Sequence, residues 1–369
     1  MTSPSDDAAL VGVVASPLRI EAQLVERTPF GRLRAAGRRL VEDVDGPTRF
    51  VPLDVHRQLE GPDADGDEAR AAQAWVESIA NAIARLTFGV RGGSVRVGLA
   101  LDARLDGRGR HVMAARDGPR VENIVDALIV ALRGRSIRLA STPSRAISLT
   151  RALALGEIRS AIGGLAGGVA GLTLAWDREV GWADVARGEV VRESTELPGT
   201  RLDQGLVRLD ELRRETDELP SPLAASARRG DPAARDLFAK AALALGRAAA
   251  RRLLVRLSER APVDSSAPPD RLVLTGTCGR FASDPRLAGS VLEPFEEGLA
   301  QGLSDREDAA MRAGLLQAAG STPSVAAGVL HVSTDDAAAV LGAAASALQG
   351  RLPVDTAPRT TPDPSEESP

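Results

Sequence analysis

The chain has one cysteine, no tyrosine and three histidines, and only 2% of its 369 residues are aromatic. The single thiol, Cys278, excludes an intrachain disulfide and any zinc site built from several cysteines. His56, His111 and His331 are far apart and lack metal-ligand spacing. Lys240 is the only lysine among residues otherwise rich in arginine, alanine and glycine, the bias of a GC-rich coding sequence. That leaves little room for Schiff-base chemistry or a P-loop, each of which needs a lysine at a set place. No apolar run reaches the roughly 18 residues of a membrane helix. The start, MTSPSDDAAL, has neither the basic n-region nor the apolar core of a secretory leader. Net charge is −4, with 46 basic and 50 acidic side chains interspersed. Such a mixture carries no footprint for nucleic acid or for an anionic membrane. The expectation is a protein of the reducing cytoplasm with neither as a partner.

What is present is a strand–helix alternation. The length predicts about two domains, and 43% apolar content is ample for their cores. Residues 10–25, LVGVVASPLRIEAQLV, read as two strands joined by the turn Ser16-Pro17-Leu18-Arg19, with further strands over 30–60. GPDADGDEA at 61–69 reads as an acidic loop before a helix carrying Trp75, Ile79, Ile83 and Leu86 on one face. SVRVGLAL at 94–101 and SIRLAS at 136–141 read as strands, and 121–133 and 145–160 as helices. A strand at 171–175 precedes a charged stretch with one short helix near 207–217. The longest helix, 233–257, places Leu237, Ala241, Leu245, Ala249 and Leu253 on one face. The strand-to-turn segment RLVLTGTCG follows at 271–279, then helices at 287–318 and 334–349. No internal repeat of 20–50 residues is visible. The pattern predicts an α/β fold of two related domains.

In order and spacing these segments resemble the ROK family of bacterial sugar kinases, within the actin-like ATPase superfamily. The resemblance spans most of residues 9–350 and implies a two-domain, ribonuclease H-like α/β fold. The N-terminal domain would take 1–141, with a C-terminal helix in 334–350 packing back on it, and the second domain 142–333. The tail at 351–369, rich in Pro, Ser, Thr and Asp, reads as disordered.

The family's working residues are mostly replaced. Its Asp-x-Gly-Gly-Thr-Lys turn wraps ATP phosphate and helps place Mg²⁺. Here Val14 stands for the aspartate, Ser16 and Pro17 for the glycines, Leu18 for the threonine and Arg19 for the lysine. Proline removes an N–H donor, so the usual cradle cannot form. The Pro-Gly-x-Val-Asp segment corresponds to GLALDARLDGRG at 98–109, with Asp102 and Ala103 in place of Pro-Gly. Asp102 and Asp106 are the candidate substrate-side residues, although Asp106 reads more readily as part of a turn-forming Asp-Gly. The Asn-Asp ahead of the Leu-Gly-Glu helix supplies the base that deprotonates the sugar. Here it becomes Ser148-Leu149, ahead of Leu155-Gly156-Glu157. Losing a general base costs about 10²–10⁴ in rate. Asp102 or Asp126 is the available substitute. The second phosphate loop becomes Trp176-Asp177-Arg178-Glu179, and the sugar-binding Glu-x-Gly-His falls near Glu196–Gly199 without its histidine. The family's zinc cluster is excluded by the single cysteine. The adenosine-side turn is better kept: Gly276, Thr277 and Gly279 are the candidate cofactor-binding residues, and a tight turn explains them equally well. Cys278 reads as a small buried filler, and Trp176 and Trp182 as core or cleft.

The simultaneous replacements at Val14, Leu149 and 175–181 favour a non-catalytic ROK-like pseudokinase that binds a sugar, a nucleotide or a partner protein, since phosphoryl transfer needs positioning and charge neutralisation together. The family resemblance implies a homodimer. The alternative is a divergent ATP-dependent sugar kinase, with ATP and Mg²⁺ as cofactors. A ROK-type repressor is disfavoured, because a first strand by residue 10 leaves no room for a preceding winged helix.

Overall fold

The computed structural model describes residues 8–16, 19–43, 64–88, 94–106, 108–109, 112–114, 121–141, 145–165, 170–176, 180–194, 222–258, 271–304 and 330–349. The first sheet begins with β1 (Ala9–Ala15), β2 (Arg19–Arg27) and β3 (Leu33–Asp43), paired antiparallel in succession. β4 (Ser94–Leu101) runs parallel to β1, and β7 (Arg138–Leu139) and β8 (Ile147–Ser148) run parallel to β4. The order is β3-β2-β1-β4-β7. A small hairpin, β5 (Arg104–Leu105) with β6 (Val112–Ala114), lies between β4 and β7 in sequence. β1 is an unbroken apolar run because both faces of its sheet are covered. Val11, Val13 and Ala15 pack under α1 (Ala64–Thr87) and α2 (Ile124–Gly134), whereas Leu10 and Val14 face the opposite layer.

The second sheet holds β9 (Gly171–Trp176), β10 (Val180–Ala186), β11 (Glu189–Ser194), β12 (Arg271–Thr275) and β13 (Leu330–Val332), in the order β11-β10-β9-β12-β13. Its first three strands are antiparallel and its last two parallel, the same pattern as in the first sheet. The two halves therefore repeat a topology that leaves no repeat in the sequence. α4 (Pro222–Arg228), α5 (Pro232–Ser258), α6 (Gly276–Ser283) and α7 (Ala288–Ser304) enclose its outer core, with Phe238 and Phe281 edge-to-face at 5.2 Å.

Between the sheets lies a helix pair, α3 (Leu149–Arg159) and α8 (Ala338–Gln349). Glycine makes this layer thin. A Cβ on Gly342 would stand 1.6 Å from the Ala152 carbonyl oxygen, and one on Gly156 2.0 Å from that of Ala338. Gly12 and Gly98 admit the Val340 and Ala343 carbonyls just as closely, at 2.0 and 1.8 Å from a notional Cβ. The small-residue helix thus packs backbone to backbone against α3, β1 and β4.

The structure departs from the local expectations at several points: β10, β11, β13 and the β5–β6 hairpin have no counterpart among them, and the last helix begins at Ala338 rather than 334. Residues 64–69, read as part of an acidic loop, already belong to α1. The strand at 136–141 shortens to Arg138–Leu139. The helix expected from 145 starts at Leu149, because Ser148 caps it and, with Ile147, pairs with β4; β8 thus joins the first sheet although it lies beyond residue 141. Residues 276–279 are the first turn of α6 rather than a turn before a helix. The short helix near 207–217 and the tail beyond 349 lie outside the described residues. No helix among the described residues is long and apolar enough to cross a membrane.

Candidate functional site

Parallel strands expose their C-terminal ends on one edge of a sheet, and that edge is where this architecture gathers its special residues. On the first sheet Ala15 aligns with Leu101, and Leu101 with Ser148. The Asp102 N–H donates to the Ala15 carbonyl at 3.0 Å, so Asp102 sits between the end of β1 and the start of α3. Ser16 and Arg19, which flank the β1–β2 turn, bond to each other. Ser16 N–H donates to the Arg19 carbonyl at 2.8 Å, and Arg19 N–H to Ser16 Oγ at 3.0 Å. The Trp75 indole on α1 donates to the Ser16 carbonyl at 2.9 Å and fixes the turn from outside. Arg19 and Arg39 both pair with Glu21, at 3.3 and 2.6 Å, on the strand face beside Val14. Val14 itself packs into the apolar middle layer.

α3 ties this edge to the second sheet. At its start Ser148 accepts the Arg151 N–H at 3.0 Å as an N-cap. Near its end lies Glu157, fully buried, accepting Gly164 N–H at 2.8 Å and the Thr275 hydroxyl at 2.9 Å. Thr275 occupies the N-cap position of α6 yet makes no cap bond, because its hydroxyl is turned to Glu157. Gly276 follows with φ +61, a left-handed conformation that favours glycine. Gly279 is buried, and a Cβ there would stand 2.6 Å from the Ser333 oxygen; its missing side chain serves the packing of α6 on β12 and β13. Among the three cofactor-side candidates, Gly276 and Thr277 are the half-buried ones.

Asp106 opens a turn: its carbonyl accepts Gly109 N–H at 2.9 Å, and Gly109, at φ +66, docks against Ala146. Asp126 is exposed in the first turn of α2, its carboxylate held by the Asn123 amide at 2.5 Å. Leu149 is the first residue of α3 and packs against Leu153, Ala175 and Ala338. Cys278 is a buried free thiol, and Trp75 is core. Trp182 is buried on the α5 side of the second sheet with the Arg252 guanidinium 3.9 Å above its ring. Beside it buried Asp184 pairs with Arg252 and, at 3.4 Å, with Arg256. Residues 177–179 and 195–200, His56 and His111 lie outside the described residues. Among those described, no group of three or more His, Cys, Asp or Glu is placed to hold a metal. Without a carboxylate at Val14 the edge does not fit Mg²⁺ as the family resemblance would place it.

Sequence reasoning missed Glu193. Its carboxylate accepts the Ser148 hydroxyl at 3.1 Å and lies 3.5 Å from Arg151 Nη1, beside Leu149. Nothing in local sequence marks it, since its partners are more than 40 residues away.

Two three-plus-two sheets with a helix pair between them define an actin-like ATPase fold of two lobes. Solved structures of ROK proteins share this fold. A ROK hexokinase from Thermus thermophilus superposes with a TM-score of 0.54 at 20% identity, covering 93% of this chain and 98% of that one. A ROK glucokinase from Streptomyces griseus, solved with glucose and AMPPNP, gives 0.55 at 16% identity, covering 93% and 100%. A ROK-family transcriptional regulator, a homologue of the E. coli MLC protein, gives 0.52 at 14%, covering 93% and 78%. No protein-family model matches the sequence, and no curated protein matches it.

Proposed function

We propose that this chain is a ROK-like pseudokinase: it keeps the two-lobed fold, binds a small ligand or a partner at the sheet edges, and transfers no phosphate. The observation that carries this reading is the pairing of Ser16 with Arg19 across the β1–β2 turn. The N–H groups of Ser16 and Arg19 are spent within the turn, and Pro17 has none, so few donors remain to wrap a phosphate. Val14 packed in the middle layer and Leu149 at the head of α3 support it, since neither binds a metal nor accepts a proton. Gly276 and Thr277 are the positions left for a nucleotide base or ribose.

One observation favours a second reading, a divergent ATP-dependent sugar kinase. Asp102 stands beside Ser148 at the edge of the first sheet, a place from which a carboxylate serves as general base. Calorimetric titration with ATP and ADP, with and without Mg²⁺, separates the two. The pseudokinase reading expects no Mg²⁺-dependent binding at millimolar nucleotide and no turnover in a coupled assay across a sugar panel. Micromolar Mg²⁺-dependent binding, or ATP-dependent phosphorylation of any sugar, overturns it in favour of the kinase.

A further inference from the structure

β11 carries an irregularity with a consequence. Its ladder pairs Val190 with Val185 and Arg192 with Asp184, so Val191 is an extra residue, a β-bulge. Side chains alternate along a strand, and one inserted residue exchanges the faces of everything after it. Ala183 and Val185 face the middle layer, and Asp184 faces α5. Glu193, opposite Ala183, is thereby turned toward α3, whereas an unbulged strand would aim it to the outer side. There it meets Ser148 Oγ at 3.1 Å and Arg151 Nη1 at 3.5 Å. Its side chain retains 31% exposure, so the carboxylate is held but not enclosed. A carboxylate offers about four lone-pair sites, and these two contacts leave capacity on the side open to solvent. Leu149, where an acid is missing, is the residue after Ser148.

We propose that Glu193 is the carboxylate with which this edge holds the hydroxyl groups of a small polyhydroxylated ligand, delivered from β11 in place of an acid at position 149. Ser148 and Arg151 orient it, and the bulge at Val191 sets its aim. The proposal rests on the small-ligand half of the reading above and is independent of nucleotide.

The test is calorimetric titration of the purified full chain with D-glucose as probe and no nucleotide present. Wild type is expected to bind at millimolar concentration, and Glu193→Gln to weaken binding about tenfold or more, because a hydrogen bond to a charged group is lost. The thermal midpoint of Glu193→Gln should stay near wild type, as the side chain is partly exposed. Glu193→Ala combined with Leu149→Asp is expected to regain part of the affinity that Glu193→Ala loses. Glucose binding unchanged in Glu193→Gln, or no binding by wild type at tens of millimolar, overturns the proposal. Neither result bears on phosphate transfer, which the ATP titration decides separately.

Discussion

The Thr275 hydroxyl donates to Glu157 Oε1 at 2.9 Å, joining the last turns of α3 to the end of β12 across 118 residues of sequence. The same carboxylate holds the loop at Gly164 through Oε2, at 2.8 Å. One buried acid therefore sets both the corner where α6 begins and the chain entering β9.

Removing that acid should be costly. Glu157→Ala leaves a buried hydroxyl and a buried N–H without acceptors, each worth about 1–3 kcal/mol. A loss of about 2–5 kcal/mol in urea unfolding is expected on that basis, against about 1 kcal/mol for Thr275→Val. A Glu157→Ala variant as stable as wild type would show the contact to be incidental.

The backbone-to-backbone seam of α8 makes a paired prediction. Gly98→Ala drives a methyl to 1.8 Å from the Ala343 oxygen and must push the helix off the sheet, at a cost of about 1–3 kcal/mol or more. Gly134→Ala, at the end of α2 with nothing within 4 Å, should instead stabilise by about 0.5–1 kcal/mol. Equal midpoints for the two variants would contradict the packing described.

On the outer face of the second sheet, Asp184 is the buried anion shared by Arg252 and Arg256. Asp184→Ala strands two largely buried guanidinium groups, and breaking such a pair costs about 3–5 kcal/mol. The Trp182 ring lies under Arg252, so its fluorescence should shift in the native state of the variant as the guanidinium moves. An unchanged spectrum and stability would refute the network.

Acid sensitivity should involve Asp284. Burial alone would raise its pKa, but the Arg228 guanidinium and the Arg286 N–H outweigh burial and hold it below the usual carboxylate range. A carboxylate depressed in the folded state stabilises above its unfolded pKa, about 3.9, and loses that stabilisation as pH falls through the lower folded value. Asp284→Asn should therefore flatten the loss of stability below about pH 4. Glu296 has the opposite sign: burial, then the neighbouring Glu293, raises its pKa, so its ionisation opposes folding as pH rises. Glu296→Gln should raise the midpoint at neutral pH and leave it unchanged in acid. A parallel offset at all pH values would exclude linkage at either site.

Much of the fold was legible. The hairpin over 10–25, the strands at 94–101 and 271–275 and the helix at 232–258 follow from apolar runs and turn residues within a few positions of one another. The segment after Thr275 was misread because its glycines suggest a turn, whereas Gly276 starts a helix through a positive φ that glycine also allows.

By itself, the sequence determined the alternation of strands and helices and the glycines at 12, 98, 156 and 342. Those depend on local backbone preference and side-chain chemistry. Only the tertiary structure decided that the two sheets share one strand order, that the four glycines meet α8 or α3, and that Glu157 finds Thr275. It also decided the aim of Glu193. The direction of that carboxylate depends on a one-residue mismatch with β10, and register between strands is a property of the pair rather than of either strand alone.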